Sequence, residues 1–143
     1  MFSAPFASTA SRATQFAGAY QQVAVHTGVE DASPHQLVAL LFDGFFAAVH
    51  RARGAMRGAD IPAKGRALSQ AVSIVNEGLK AALDVKAGGK LAEDLSALYA
   101  YVGLRLTQAN LRNDEAALDE CLRLMKPLQE AWAAIGPGAK THP

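Results

Sequence analysis

The chain has 143 residues, half of them hydrophobic and 19% charged, with a formal net charge of +1. A domain of this length buries enough apolar surface to fold without a disulfide or a metal. The near-neutral balance gives no electrostatic footing for nucleic acid or an anionic membrane, and the single cysteine, Cys121, excludes an internal disulfide framework.

Residues 1–13 are rich in Ser, Ala and Thr and lack the basic start and apolar core of a signal peptide. No apolar run approaches the ~18 residues that would suggest a membrane-spanning helix. The expectation is a cytoplasmic protein without membrane insertion. A short amphipathic stretch follows over residues 14–25, carrying Phe16, Tyr20 and Val23. Residues 1–32 are expected to form a mobile, partly helical N-terminal arm. Its apolar residues suggest that it folds back over part of a binding groove, with Tyr20 as its anchor.

The first strong helix signal begins at Ser33, an N-cap followed by Pro34 at the first helical position and Gln36 reaching back as in a capping box. Leu37, Leu41, Phe45, Val49, Ala52 and Met56 then recur at helical spacing, and Gly58 ends the segment. A second helix starts near Asp60, with Leu68, Val72, Val75, Leu79 and Ala82 on one stripe, and runs to the break at Ala87-Gly88-Gly89. A third is expected from about Lys90 to Arg112, with Leu91, Leu95, Leu98, Val102, Leu106 and Ala109 facing the core. Asn113-Asp114 turns into a fourth, capped by Asp114, whose inner face carries Leu118, Cys121, Met125, Leu128, Trp132 and Ile135. Pro127 predicts a kink between Arg123 and Pro127, and Gly136-Pro137-Gly138 ends the helix. The fold class is all-α: an antiparallel four-helix bundle over residues 33–136, preceded by the arm and followed by a disordered tail, 137–143.

No chemical constellation emerges. The four histidines, His26, His35, His50 and His142, share no helix face at ligand spacing, so no metal or other cofactor is expected. Cys121 lies on an inward stripe, where a free cysteine behaves as a small hydrophobe. The paired carboxylates sit near helix N-termini, where the helix dipole accounts for them. His50, Arg53 and Gly54 match three positions of the histidine phosphotransfer motif, which makes a phosphotransfer protein using His50 the alternative reading. Gly44, Gly78 and Gly103 interrupt good helices and mark either close helix approach or the floor of a partner's groove. Phe42, Phe46, Tyr99 and Tyr101 lie off the main stripes, so their helices either bury two faces or present one to a partner.

These residues, in order, resemble the flagellar secretion chaperones of the FliS family. The resemblance runs through Ala32-Ser33-Pro34, Gln36-Leu37-Val38 and Leu41-Phe42-Asp43-Gly44, then residues 71–79 (AVSIVNEGL) and Leu83-Asp84. It continues through Leu95, Leu98, Tyr99 and Tyr101, then Arg105-Leu106, Ala109-Asn110, Asn113-Asp114 and Ala131-Trp132. One departure is Asp31, where the family often has Thr; a caps-type acceptor remains, but the hydroxyl does not.

The resemblance implies a non-enzymatic cytoplasmic chaperone without a cofactor. It implies binding to the disordered C-terminal segment of flagellin, protection from premature polymerisation and delivery to the flagellar type III export gate. The membrane export gate and a second copy of the chain are the further partners it suggests. The contact residues expected from the match are Tyr20, Leu37, Leu41 and Phe42, together with Ile74, Leu98, Tyr99 and Asn110. Burial in the core is the competing account of the leucines.

Overall fold

The computed structural model describes residues 33–83 and 85–139. The expected arm, with Tyr20, and the last residues of the expected tail lie outside the described residues.

Four helices form, all at the expected places: α1 Pro34–Arg57, α2 Ile61–Ser73, α3 Val85–Arg112 and α4 Glu115–Ala139. No strand occurs among the described residues. The start of α1 has local causes. Ser33 Oγ accepts from Gln36 N, and the Gln36 side chain accepts from Ser33 N, which satisfies two otherwise orphaned donors. Asp60 caps α2 by accepting from Ala63 N, and Asp114 caps α4 by accepting from Ala117 N. Asn113 adopts a positive φ of 53°, a conformation that asparagine tolerates better than most residues, and closes the turn between α3 and α4.

One local expectation is corrected. The second helix does not continue as one α-helix: after Ser73 it widens into a π turn, Ile74–Leu79, where Lys80 N donates to Val75 O at 2.8 Å, and Ala82 is exposed in the turn that follows. The third helical segment spans Val85–Arg112, but Gly89 leaves helical geometry (φ 57°, ψ −134°), so its regular part starts at Lys90, where the sequence places it. Backbone angles stay helical through Pro127, and the first residue of α4 to leave them is Gly136 (φ 73°, ψ 165°), at the Gly-Pro-Gly expected to end the helix. Pro127 and Arg123, whose carbonyl loses its helical donor, are both exposed, where water can replace that donor.

Around the bundle α1 borders α2 and α4, and α3 borders the same two. The core is built on Phe45, Leu41, Leu68, Leu79, Leu106, Leu118 and Met125, all fully buried. Polar contacts fix the antiparallel register of α1 and α4. Arg57 pairs with Glu115, Arg53 with Asp119, Gln129 Nε2 donates to Asp43 at 2.9 Å, and His35 meets Trp132. The last contact is reciprocal: Trp132 Nε1 donates to His35 O at 3.0 Å, His35 Nε2 lies 2.9 Å from Trp132 O, and the rings stack at 4.8 Å. Leu91 and Ile135, expected on inner faces, are instead 68% and 47% exposed.

Candidate partner-binding site

The π turn brings two interior glycines into use. A Cβ at Gly44 would stand 3.2 Å from Ile74 Cδ1, and a Cβ at Gly103 would stand 3.2 Å from Asn76 Oδ1. Glycine therefore lets the turn press against α1 on one side and α3 on the other. Close approach accounts for both positions, and Gly103 also lies beside the groove described next.

Between α2 with its π turn and α3 lies a cavity of about 310 Å³. Leu68, Val72 and Leu106 supply its apolar lining, while Ser69, Ser73, Asn76, Glu77, Thr107 and Asn110 supply polar groups. Two of the polar groups are held locally: Ser73 Oγ donates to Glu77 at 3.1 Å, and Thr107 Oγ1 donates to Gly103 O at 3.0 Å. The Asn110 backbone is pinned from below, since its carbonyl accepts from the buried Lys64 ammonium at 3.0 Å. An apolar base bordered by amides and hydroxyls suits an amphipathic segment, with apolar side chains inward and backbone or polar side chains against the rim.

The residues expected from the sequence fall into two groups. Leu37, Leu41, Phe42, Ile74 and Tyr99 are buried in the described fold. Leu98 and Asn110 are half-buried, and of all these residues Asn110 alone lines the α2–α3 cavity. Ile74 lies in the π turn and packs toward Gly44, behind the rim. Sequence reasoning missed Ser69, Ser73, Asn76 and Thr107. A signal was present: Ser69, Ser73 and Asn76 stand at i, i+4 and i+7, a polar row beside the Leu68/Val72 stripe.

The two tyrosines of the Tyr-x-Tyr element separate. Tyr99 is packed into the core, and burial pushes its hydroxyl up to about 12. Tyr101 is exposed and donates to Glu120 Oε2 at 2.7 Å; that hydrogen bond raises the phenol pKa and lowers that of Glu120, which Arg105 also contacts at 2.7 Å.

Other chemistry finds little footing here. Cys121 is fully buried, and burial pushes its thiol up to about 12, so it stays protonated and unreactive at neutral pH. No group of three or more His, Cys, Asp and Glu among the described residues could hold a metal. His50 is exposed on α1. Glu115, Asp119 and Glu120, attributed above to helix-dipole effects, also pair with Arg57, Arg53 and Arg105 across helices. No helix of the described residues is long and apolar enough to cross a membrane.

Comparison with known proteins now bears on the site. Residues 16–139 match the family model described as flagellar protein FliS. The flagellar secretion chaperone FliS of Salmonella typhimurium is 50% identical over 121 residues, covering 85% of this chain and 90% of that protein. Its Escherichia coli counterpart is 42% identical, covering 86% and 88%. The Bacillus subtilis chaperone of the same name is 32% identical, covering 80% of each. A match of this extent, over a helical bundle with a groove between its helices, establishes that the chain belongs to the FliS family of flagellar secretion chaperones.

Proposed function

We propose that this protein is a cytoplasmic export chaperone that binds the disordered C-terminal segment of flagellin, keeps flagellin from polymerising early and brings it to the flagellar type III export gate. Membership of the flagellar secretion chaperones carries this reading. The α2–α3 groove supports it physically. A segment that orders on binding loses conformational entropy at that moment, so it gains affinity by spreading apolar contacts over a large surface. The result suits a partner that must later be released.

In this reading Asn110 contacts the client at the rim, with Asn76 and Thr107 beside it. Leu98 and Tyr20 extend the contact surface. Leu37, Leu41, Ile74 and Tyr99 meet the client where its side chains penetrate between helices, whereas Phe42 walls a cavity between α1 and α4 and stands outside this contact surface.

Calorimetry against full-length and C-terminally truncated flagellin tests the reading. The full-length client is expected to bind with a large negative heat-capacity change, because coupled folding buries apolar area. Equal affinity for the truncated client would show that the C-terminal segment is not the ligand. Asn110→Ala is expected to weaken binding several-fold without changing the unfolding midpoint.

A further inference from the structure

We propose that the face between α1 and α4 carries a second docking site, for a protein segment presenting one bulky apolar side chain beside a lysine or arginine. This face lies opposite the α2–α3 groove, because α1 and α3 each border α2 and α4. It holds a cavity of about 320 Å³ walled by Phe42, Trp132, Ala39 and Ala133. That volume is at the low end for ligand pockets and suits a single large side chain. The two alanines leave the space open, and Phe42, only 2% exposed, forms a fixed wall.

The site is built before any partner arrives. The reciprocal hydrogen bonds and ring stacking with His35 hold Trp132 in place. A pocket whose aromatic wall is already fixed avoids the ordering cost of forming it on binding.

Charge identifies the occupant. Asp43 and Glu130 both line the cavity and are exposed, and among the described residues neither belongs to an ion pair. Further along the same α1–α4 seam, Glu115 and Asp119 are each paired with an arginine. Gln129 donates to Asp43 and holds that carboxylate at the rim; Lys126 lies over the Phe46 ring at 5.6 Å and donates to Gln129 Oε1 at 3.4 Å, and pairs with neither carboxylate. An apolar pocket bordered by two carboxylates outside any ion pair selects a cationic neighbour for the side chain that fills it. The inference goes beyond the client reading and does not depend on it.

The probe is a synthetic amphipathic helical peptide of leucine and lysine, with its leucine–glutamate counterpart as control. Trp132 is the sole tryptophan, so its fluorescence reports occupancy of the pocket. The full chain is titrated both free and saturated with flagellin. The Leu/Lys peptide is expected to bind saturably at one per chain in both states, shifting Trp132 emission. Asp43→Asn combined with Glu130→Gln, or Ala133→Leu filling the pocket, is expected to weaken it at least tenfold. All three positions are at the surface, so far-UV circular dichroism and flagellin affinity should be unchanged. The proposal is overturned if the peptide fails to bind, if it binds the variants as well as the parent, or if the Leu/Glu peptide binds equally. Displacement by flagellin would also overturn it, since the face would then belong to the client groove.

Discussion

The two ends of the bundle are built from the same periodic helices yet are finished differently. At one end α1 and α3 terminate and α2 and α4 begin. There Met56, Leu118, Cys121 and Leu106 are buried while Ile61 and Leu111 face solvent, and Arg57 pairs with Glu115 and Arg53 with Asp119. Lys64, itself buried, donates to Asn110 O and Asn113 Oδ1, each at 3.0 Å, near the C-terminal end of α3. At the other end α1 starts, α4 finishes and the regular part of α3 begins. There Leu91 and Ile135 face solvent, and Leu95, Leu98 and Leu128 are only half-buried. The His35–Trp132 pair is the principal polar tie. Helical periodicity says which residues share a face; a neighbouring element decides whether that face is covered.

Substitutions at matched leucines should give the largest contrast. Leu118→Ala, fully buried at the ion-paired end, is expected to cost about 2–5 kcal/mol, through lost transfer energy and the cavity left behind. Leu91→Ala, 68% exposed at the other end, is expected to change stability by less than about 0.5 kcal/mol. Urea denaturation of the two variants is the measurement. Similar losses at both sites would mean that Leu91 is covered in solution, and the contrast between the ends would disappear.

A second effect concerns what enters the fold at the open end. Ser33, the N-cap of α1, lies at this end. If the N-terminal arm rests on the groove with about 1.4 kcal/mol, it weakens client binding about tenfold. Deleting residues 1–25 should then tighten flagellin binding by that factor and make the empty chaperone more prone to self-associate. Weaker binding by the truncated protein, measured by calorimetry, would instead make the arm part of the binding surface.

The π turn gives a smaller, sharper test. Gly103→Ala gains up to about 1 kcal/mol of helix propensity, but its methyl group meets the Asn76 side chain. Asn76 is exposed and can shift by a few tenths of an ångström, so stability should hold or rise slightly. Asn76 also lines the groove, and its displacement is expected to weaken client binding two- to fivefold. Stability and affinity moving in opposite directions would identify the glycine as part of the groove; a simple loss of stability would leave it a packing residue only.

The caps and stripes of the four helices were legible because their causes are local. Ser33 with Gln36, Asp60 and Asp114 each satisfy donors within three residues of themselves. The burial of Phe42 and Tyr99 was not decided by spacing, since a second apolar face packs inward or meets a partner with the same pattern. The π turn was hidden for a related reason: AVSIVNEGL reads as ordinary helix, and the widening at Ile74–Leu79 brings Asn76 against Gly103 some 27 residues away in sequence. Groove residues such as Ser69 and Thr107 are small, polar and individually unremarkable. They form a site only because α2 lies beside α3.

The smallest effect is expected from acid, and it should act at the ion-paired end first. Glu115 titrates below its ordinary value of 4.5, chiefly through its hydrogen bond with Arg57, with further help from the Arg57 and Arg53 charges; burial opposes the shift. A carboxyl whose folded pKa is depressed contributes stability above its unfolded pKa and loses that contribution as pH falls through the folded value. The loss should therefore appear below about pH 4.5 and be absent between pH 5 and 8. Both partners are solvent-accessible, so screening keeps the contribution small and raised salt should reduce it further. Thermal unfolding from pH 6 to pH 3 is the measurement, with Glu115→Gln as the comparison. The parent midpoint should fall more steeply than that of the variant, and amides near Glu115 should lose hydrogen-exchange protection before those near Trp132. Protection lost first around Trp132 would show that the open end is the weaker one under acid as well, and that the arginine pairs do little to hold the other closed.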